Sequence, residues 1–112
     1  SYTMDGATIR NVTLTATFVA NETHQSIPGD EYFLAGGSGG LAVWVNRSTV
    51  ENCTINLTLT GTATADYYGG IAFDITDTNL KDVTVKSATQ LSLYKSGTAA
   101  SETNVNFELI TA

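Results

Sequence analysis

The sequence predicts an all-β chain wound as a short parallel β-solenoid (β-helix) of about three coils, with a repeat of about thirty residues. Three observations carry this prediction. Gly39-Gly40-Leu41-Ala42-Val43-Trp44-Val45 and the following Thr49-Val50-Glu51-Asn52-Cys53-Thr54-Ile55 recur thirty positions later, as Gly69-Gly70-Ile71-Ala72-Phe73-Asp74-Ile75 and Asn79-Leu80-Lys81-Asp82-Val83-Thr84-Val85. Within each copy the apolar residues alternate, as at Leu41, Val43, Val45 and at Cys53, Ile55, Leu57, Leu59, which is the period of a strand and not of a helix. Finally, Val50 and Cys53 stand three apart, so both face inward only if the chain bends between them. Asn11, Asn52 and Asp82 form the column at that bend. Asn and Asp tolerate the left-handed backbone that a bend requires, and stacked Asn side chains bond to one another along a strand stack. A unit that cannot bury its own apolar face stacks on its neighbours, like residue over like at ~4.8 Å.

The chain reads as a single domain, residues 1–112, divided into a partial coil at 1–38, full coils at 39–68 and 69–98, and a closing strand at 102–112. After an entry segment over 1–7, Ile9, Asn11, Val12, Thr13 and Leu14 take the places of Val50, Asn52, Cys53, Thr54 and Ile55 at an offset of 41. Val12, Leu14 and Phe18 share one face of this strand, and Thr13, Thr15 and Thr17 the other. Residues 21–31 make a loop holding the sole His24 and sole Pro28, followed by a short apolar run, Tyr32-Phe33-Leu34. The glycines of Gly36-Gly37-Ser38-Gly39-Gly40 let the backbone turn tightly. Alternation continues out of the first full coil through Thr58–Thr64, and Leu91 and Leu93 are expected in the core of the second. Lys95–Ser101 breaks the pattern, and Val105, Phe107 and Leu109 alternate in the last strand.

The repeated unit resembles the GLUG repeat of bacterial surface proteins, in which a G-G-L/I stretch and strand precede an I/V-x-N-C/V step. The resemblance covers residues 37–60 and 67–86, with an echo at 8–16. The chain departs from it where the family's second glycine of G-L-x-G is Val43 in one copy and Phe73 in the other. The resemblance implies an extracellular β-helical module, from a family not defined by any catalytic residue.

Composition agrees with an all-β surface protein. Charged residues are 14%, against a usual share of about 25%, while Thr, Ser, Asn and Gly are abundant. The five basic residues, Arg10, Arg47, Lys81, Lys86 and Lys95, are scattered in a chain of net charge −6, so nothing tracks a phosphate backbone and nucleic-acid binding is not expected. No apolar run reaches the ~20 residues of a membrane-spanning helix. The chain opens at Ser1 without a signal peptide, which reads as a mature product or an excised fragment. Cys53 is the only cysteine, so it forms no internal disulfide, and its alignment with Val12 and Val83 predicts a buried thiol packing as a small hydrophobe.

Nothing in the sequence assembles a catalytic site. His24 is alone in its loop, whereas a general base needs a positioned partner. The carboxylate pairs Asp30/Glu31 and Asp74/Asp77 lack the Arg or Lys expected beside an acidic polysaccharide, and a glycosidase needs two carboxylates facing each other. Asp74, Asp77 and Asn79 make an oxygen-rich D-x-x-D-x-N turn, the one weak calcium candidate; the matching positions Trp44, Arg47 and Thr49 carry no carboxylate, so a solvated turn is the plainer reading and no cofactor is expected. Five N-x-S/T sequons start at Asn11, Asn21, Asn46, Asn52 and Asn56, a mild excess over chance in a Thr-rich chain. Glycans are expected on Asn21, Asn46 or Asn56, since Asn11 and Asn52 are engaged in the bend. Outward Thr13, Thr54 and Thr84 hint at an ice-binding array, but Asn56 and Lys86 interrupt its neighbouring column and β-propensity alone accounts for outward Thr. Trp44, Tyr67 and Tyr68 are expected at the surface, where aromatic faces stack on sugars or on partner proteins.

A squat solenoid presents open strand edges and apolar interior at both ends, and such ends are capped, continued or joined to another copy. The expected function is therefore that of an extracellular, cell-surface structural protein without enzymatic activity, self-associating into a filament or adhesive fibre through end strands such as Val105, Phe107 and Leu109. A carbohydrate-binding or adhesin module of a larger surface or phage-fibre protein is the alternative, and a β-helical glycan-cleaving fragment the third. Partners would be other copies and, in the alternative, glycans.

Overall fold

A computed structural model of the chain describes residues 3–20, 38–61 and 68–110. Every regular element among them is a strand: β1 (Thr3–Asp5), β2 (Thr8–Arg10), β3 (Thr13–Ala20), β4 (Ser38–Gly39), β5 (Ala42–Asn46), β6 (Thr49–Gly61), β7 (Tyr68–Thr76), β8 (Asn79–Ser87), β9 (Ser92–Thr98) and β10 (Ser101–Leu109). All pairings are parallel. One sheet runs β1-β5-β7-β9, with β4 also on β7; the other runs from β2 and β3 through β6 and β8 to β10. The chain alternates between the two sheets, which is the winding of a parallel β-solenoid.

Four rungs result. The register between the second and third is thirty residues throughout: Ala42 pairs with Ala72, Val45 with Ile75, Cys53 with Val83 and Ile55 with Val85. Leu41 sits directly over Ile71, its N–H donating to the Ile71 carbonyl at 2.8 Å. The first rung lies on the second at an offset of 41, with Ile9 on Val50 and Leu14 on Ile55. The fourth rung differs from the division read in the sequence, which ended a second coil at 98 and added a closing strand. Tyr94 pairs with Ala72 and Ser96 with Asp74, while Val105 pairs with Val83 and Phe107 with Val85. β9 and β10 thus form a complete further rung at an offset of twenty-two. The coil is shorter because only residues 88–91 connect β8 to β9, and chain length in a connection has little effect on the strands it joins.

Two corners recur from coil to coil among the described residues. Asn11, Asn52, Asp82 and Asn104 all take left-handed backbone, with φ of 59°, 53°, 53° and 53°, and bend the second sheet there. The bend lets residues three apart both turn inward: Val50 and Val83 are fully buried, as are Leu80 at 1% and Cys53 at 4%. The other corner joins the two sheets, with Gly6, Arg47 and Asp77 left-handed in successive rungs. Ser48 and Thr78 follow them, both buried. The Ser48 hydroxyl donates to the Asn46 carbonyl at 2.7 Å and accepts from Ala7 N–H at 3.2 Å. The Thr78 hydroxyl lies 2.9 Å from the Thr76 carbonyl it donates to, and accepts from Ser48 N–H at 3.3 Å. Each hydroxyl satisfies backbone groups that the corner would otherwise bury unpaired.

The core lies between the sheets and is made by stacked columns of Val45/Ile75, Val50/Leu80, Cys53/Val83 and Ile55/Val85. Ile55, Ile71 and Ile75 are fully buried, each contributing about 1.5–3 kcal/mol. The repeated Gly-Gly marks positions with no room for a side chain. A Cβ on Gly70 would lie 2.8 Å from a Val85 methyl, and one on Gly69 would fall on the Ala72 carbonyl.

Candidate functional site at the ends of the stack

Among the described residues the chemically suggestive side chains do not gather into a pocket, and the first and fourth rungs are open on one edge. In the first rung the inward columns are all apolar. Met4, Ile9, Leu14, Ala16 and Phe18 are half-buried against the core, and Val12, placed by its sequence pattern on the inner face, is 41% exposed. Its column is covered from one side only, because among the described residues β1, β2 and β3 each pair on a single edge.

The fourth rung is mixed. β9 and β10 also pair on one edge each among the described residues. Val105 and Phe107 pack half-buried on the core, and Leu109 and Ile110 are 48% and 42% exposed. Two inward columns turn polar or bare here: Glu102 stands over Leu80, and Gly97, with φ of 85°, over Ile75. The Tyr94 hydroxyl of β9 donates to the Glu102 carboxylate of β10 at 3.2 Å. This bond bridges the two sheets over the end of the core. Tyr94 titrates above its ordinary range through burial.

Side-chain ladders run along the stack. Asn52 Nδ2 donates to Asn11 Oδ1 at 2.6 Å, Asn104 Nδ2 to Asp82 Oδ1 at 2.9 Å, and Asn106 Nδ2 to Asn104 Oδ1 at 2.9 Å. Arg10 reaches Glu51 at 3.2 Å and Lys86 lies 3.8 Å from Glu108. At the sheet-joining corner Arg47 forms a two-pronged link to Asp5, Nε to Oδ1 at 2.8 Å and Nη2 to Oδ2 at 2.5 Å. These hydrogen bonds hold the exposed Asp5 carboxyl below its usual value, and they tie a left-handed Arg to the rung before it.

The calcium candidate disperses into separate roles. Asp74 lies in β7 in register with Trp44 and Ser96, its Oδ1 buried without a hydrogen-bond partner among the described residues. Asp77 is an exposed corner residue felt electrostatically by Arg47, and the Asn79 Oδ1 accepts from Ser101 Oγ at 2.8 Å. Among the described residues no three His, Cys, Asp or Glu side chains come together as metal ligands.

The aromatic and glycan candidates separate as well. Trp44 is half-buried in β5. Tyr68 is likewise half-buried, its ring on Phe18 with centroids 5.4 Å apart; burial raises its phenol above the usual range. Phe18 lies fifty positions upstream of Tyr68, so alternation alone gave no sign of the contact. Asn46 and Asn56 are half-buried on the outer sides of the two sheets. Asn56 borders a groove of about 240 Å³ with Leu57, Leu59, Lys86, Ser87 and Ile110. Cys53 is buried, its thiol near the Glu51 carbonyl at 3.3 Å. Tyr67, His24, Asn21, Asp30, Glu31 and the Tyr32-Phe33-Leu34 run lie outside the described residues.

Three features escaped the sequence pattern: the Ser48/Thr78 hydroxyl column, the Tyr94–Glu102 bridge and the fourth rung. Only the last had a legible signal, Asn104-Val105-Asn106-Phe107 echoing Asp82-Val83-Thr84-Val85 at the changed spacing. Comparison with protein-family models finds no match, and comparisons with known proteins and solved structures find none either.

Proposed function

We propose that this chain is a non-enzymatic structural module of an extracellular surface assembly, a subunit that joins others of its kind end to end into a filament or adhesive fibre. The observation that carries the reading is that apolar columns run out to strand edges at both ends, exposing Val12 at one and Leu109 and Ile110 at the other. Parallel strands are ordinarily covered on every side, and an edge with unpaired N–H and C=O groups is a template for another strand. A second copy supplies both the missing ladder and the missing apolar neighbour. The low charge, the outward Thr, Ser and Asn, and the five sequons support a surface setting.

Sedimentation velocity across a concentration series, with negative-stain electron microscopy of the same samples, tests this reading. Concentration-dependent oligomers or fibres are expected, and Phe107→Asp should reduce them to monomers with an unchanged β-type circular dichroism spectrum. A wild-type chain that stays monomeric at the highest concentration would remove the proposal.

A further inference from the structure

The Asn column has a direction. Asn52 donates to Asn11, and Asn104 donates to Asp82; in both cases the donor lies one rung further along the chain than the acceptor. At the start of the column the Asn11 amide nitrogen is the donor left over among the described residues. At its end Asn104 Oδ1 accepts from Asn106 and, as an amide oxygen, keeps a second lone pair. Backbone bonds at the sheet-joining corner run both ways, Thr49 N–H to Ala7 O and Asn79 N–H to Ser48 O toward the earlier rung, Gly6 N–H to Asn46 O and Arg47 N–H to Thr76 O toward the later one, so the direction belongs to the Asn side chains. In this column the two ends are complementary to each other and not to themselves.

We propose that copies of this chain join head to tail in a single register, the first rung of one copy continuing the columns of the fourth rung of another, with Asn11 donating to Asn104. This rests on the self-association reading above and names its partner surface. In that register Val12 follows Val105, Leu14 follows Phe107 and Ala16 follows Leu109, so Val12 and Leu109, each exposed at its own end, gain an apolar neighbour. Thr13 follows Asn106 on the outer face, as Thr84 follows Thr54 within the chain. The left-handed bend fixes the register. It occurs at one position in each rung, and a slipped pairing would lay a bend against straight strand. Glu102 is the one inward residue set against an apolar successor, Ile9, and its carboxylate is already held by the Tyr94 hydroxyl. A two-fold, first-rung-to-first-rung contact would run the strands antiparallel and place the Asn11 amide against its own copy.

The test uses single-cysteine chains in a Cys53→Val background, which removes the native thiol in favour of the residue its column carries at Val83 and Val105. Asn11→Cys and Asn104→Cys proteins are oxidised separately and mixed, and the products identified by mass spectrometry. A second pair, Thr13→Cys with Asn106→Cys, places the thiols on exposed sheet positions where no left-handed backbone is required. The expected result is disulfide dimers in the mixtures at least tenfold above those in either single sample, and an oligomer ladder from each double-cysteine chain. Dimers of Asn11→Cys or Thr13→Cys alone, matching the mixtures, would overturn the head-to-tail arrangement. Fibres without cross-links from either pair would overturn the register while leaving self-association standing, and a monomeric wild-type chain would overturn both.

Discussion

Rungs two and three are copies of each other; rung four is not, yet it stacks as well. The first two share thirty residues of matched pattern, and their columns are filled alike by Val45/Ile75, Val50/Leu80 and Ile55/Val85. Rung four keeps the pairing from a coil eight residues shorter, and replaces two of the inward apolar residues with Gly97 and Glu102. What the rungs hold in common is the left-handed Asn or Asp and the apolar steps after it. The repeat is therefore a rule about columns and corners and not about length. Its central units are filled by apolar columns, and its fourth sets Gly97 and Glu102 in two of them.

Substitutions that treat the centre and the end differently sharpen this contrast. A charge placed in the central core has the largest effect. Ile75→Asp buries an unpaired carboxylate in the middle of the stack and should remove about 4–5 kcal/mol, much of what a domain of this size has. Its chemical denaturation midpoint should collapse, whereas Phe107→Asp at the last rung should retain a cooperative transition. Equal loss in both would mean that the rungs are not layered as described.

The glycines give the next effect. Gly69→Ala forces a methyl onto the Ala72 carbonyl and should cost about 1–3 kcal/mol. Gly6→Ala meets nothing within 4 Å but keeps a φ of 68°, for which about 1 kcal/mol is expected. Urea melts of the two variants should rank them in that order.

Smaller changes probe the Asn column. Asn52→Ala loses a side-chain bond and puts a poor residue into left-handed backbone, a cost of about 1–2 kcal/mol. Asp82→Asn should act oppositely. A carboxylate has no hydrogen to offer Asn52, so the ladder pauses between rungs two and three; an amide there completes it and raises the melting temperature by a gain of about 0.5–1 kcal/mol. A fall in melting temperature would show that the column is not a continuous ladder.

The acid response belongs to the first corner and is the smallest effect. The Arg47 hydrogen bonds lower the Asp5 pKa from its usual 3.8. The folded state then binds this proton less readily than the unfolded chain, so the contribution is complete above the ordinary value and is lost as pH falls through the depressed one. Thermal melts of the wild type should decline faster below about pH 4 than those of Asp5→Asn. Parallel curves would remove Asp5 from the account.

Much of this architecture was legible because the deciding residues are few and local. Leu41 over Ile71 followed from a matched thirty-residue spacing, and the bend at Asn11, Asn52 and Asp82 from apolar residues standing three apart. What stayed hidden depended on contacts between sheets. Tyr68 reads as a surface aromatic, and its packing partner Phe18 comes from another rung. Ser48 and Thr78 are ordinary strand residues by composition, and their burial comes from a corner whose orphan backbone groups only three-dimensional winding creates. Glu102 sits in a column that alternation marks as apolar, a polar residue whose carboxylate is held by the Tyr94 hydroxyl of the other sheet. The candidate site is legible as an expectation of open ends, while its direction required the donors and acceptors of the Asn ladder.

Through-space NMR on isotopically labelled protein tests the central claim most directly, since everything rests on residues thirty apart lying in parallel register. The account predicts methyl-to-methyl contacts linking Ile55 with Val85 and Val45 with Ile75, an extension from Val85 to Phe107, and no strong Hα–Hα contacts between these strands. Strong Hα–Hα contacts, the mark of antiparallel neighbours, or Ile55 and Val85 lying out of reach of each other, would contradict it.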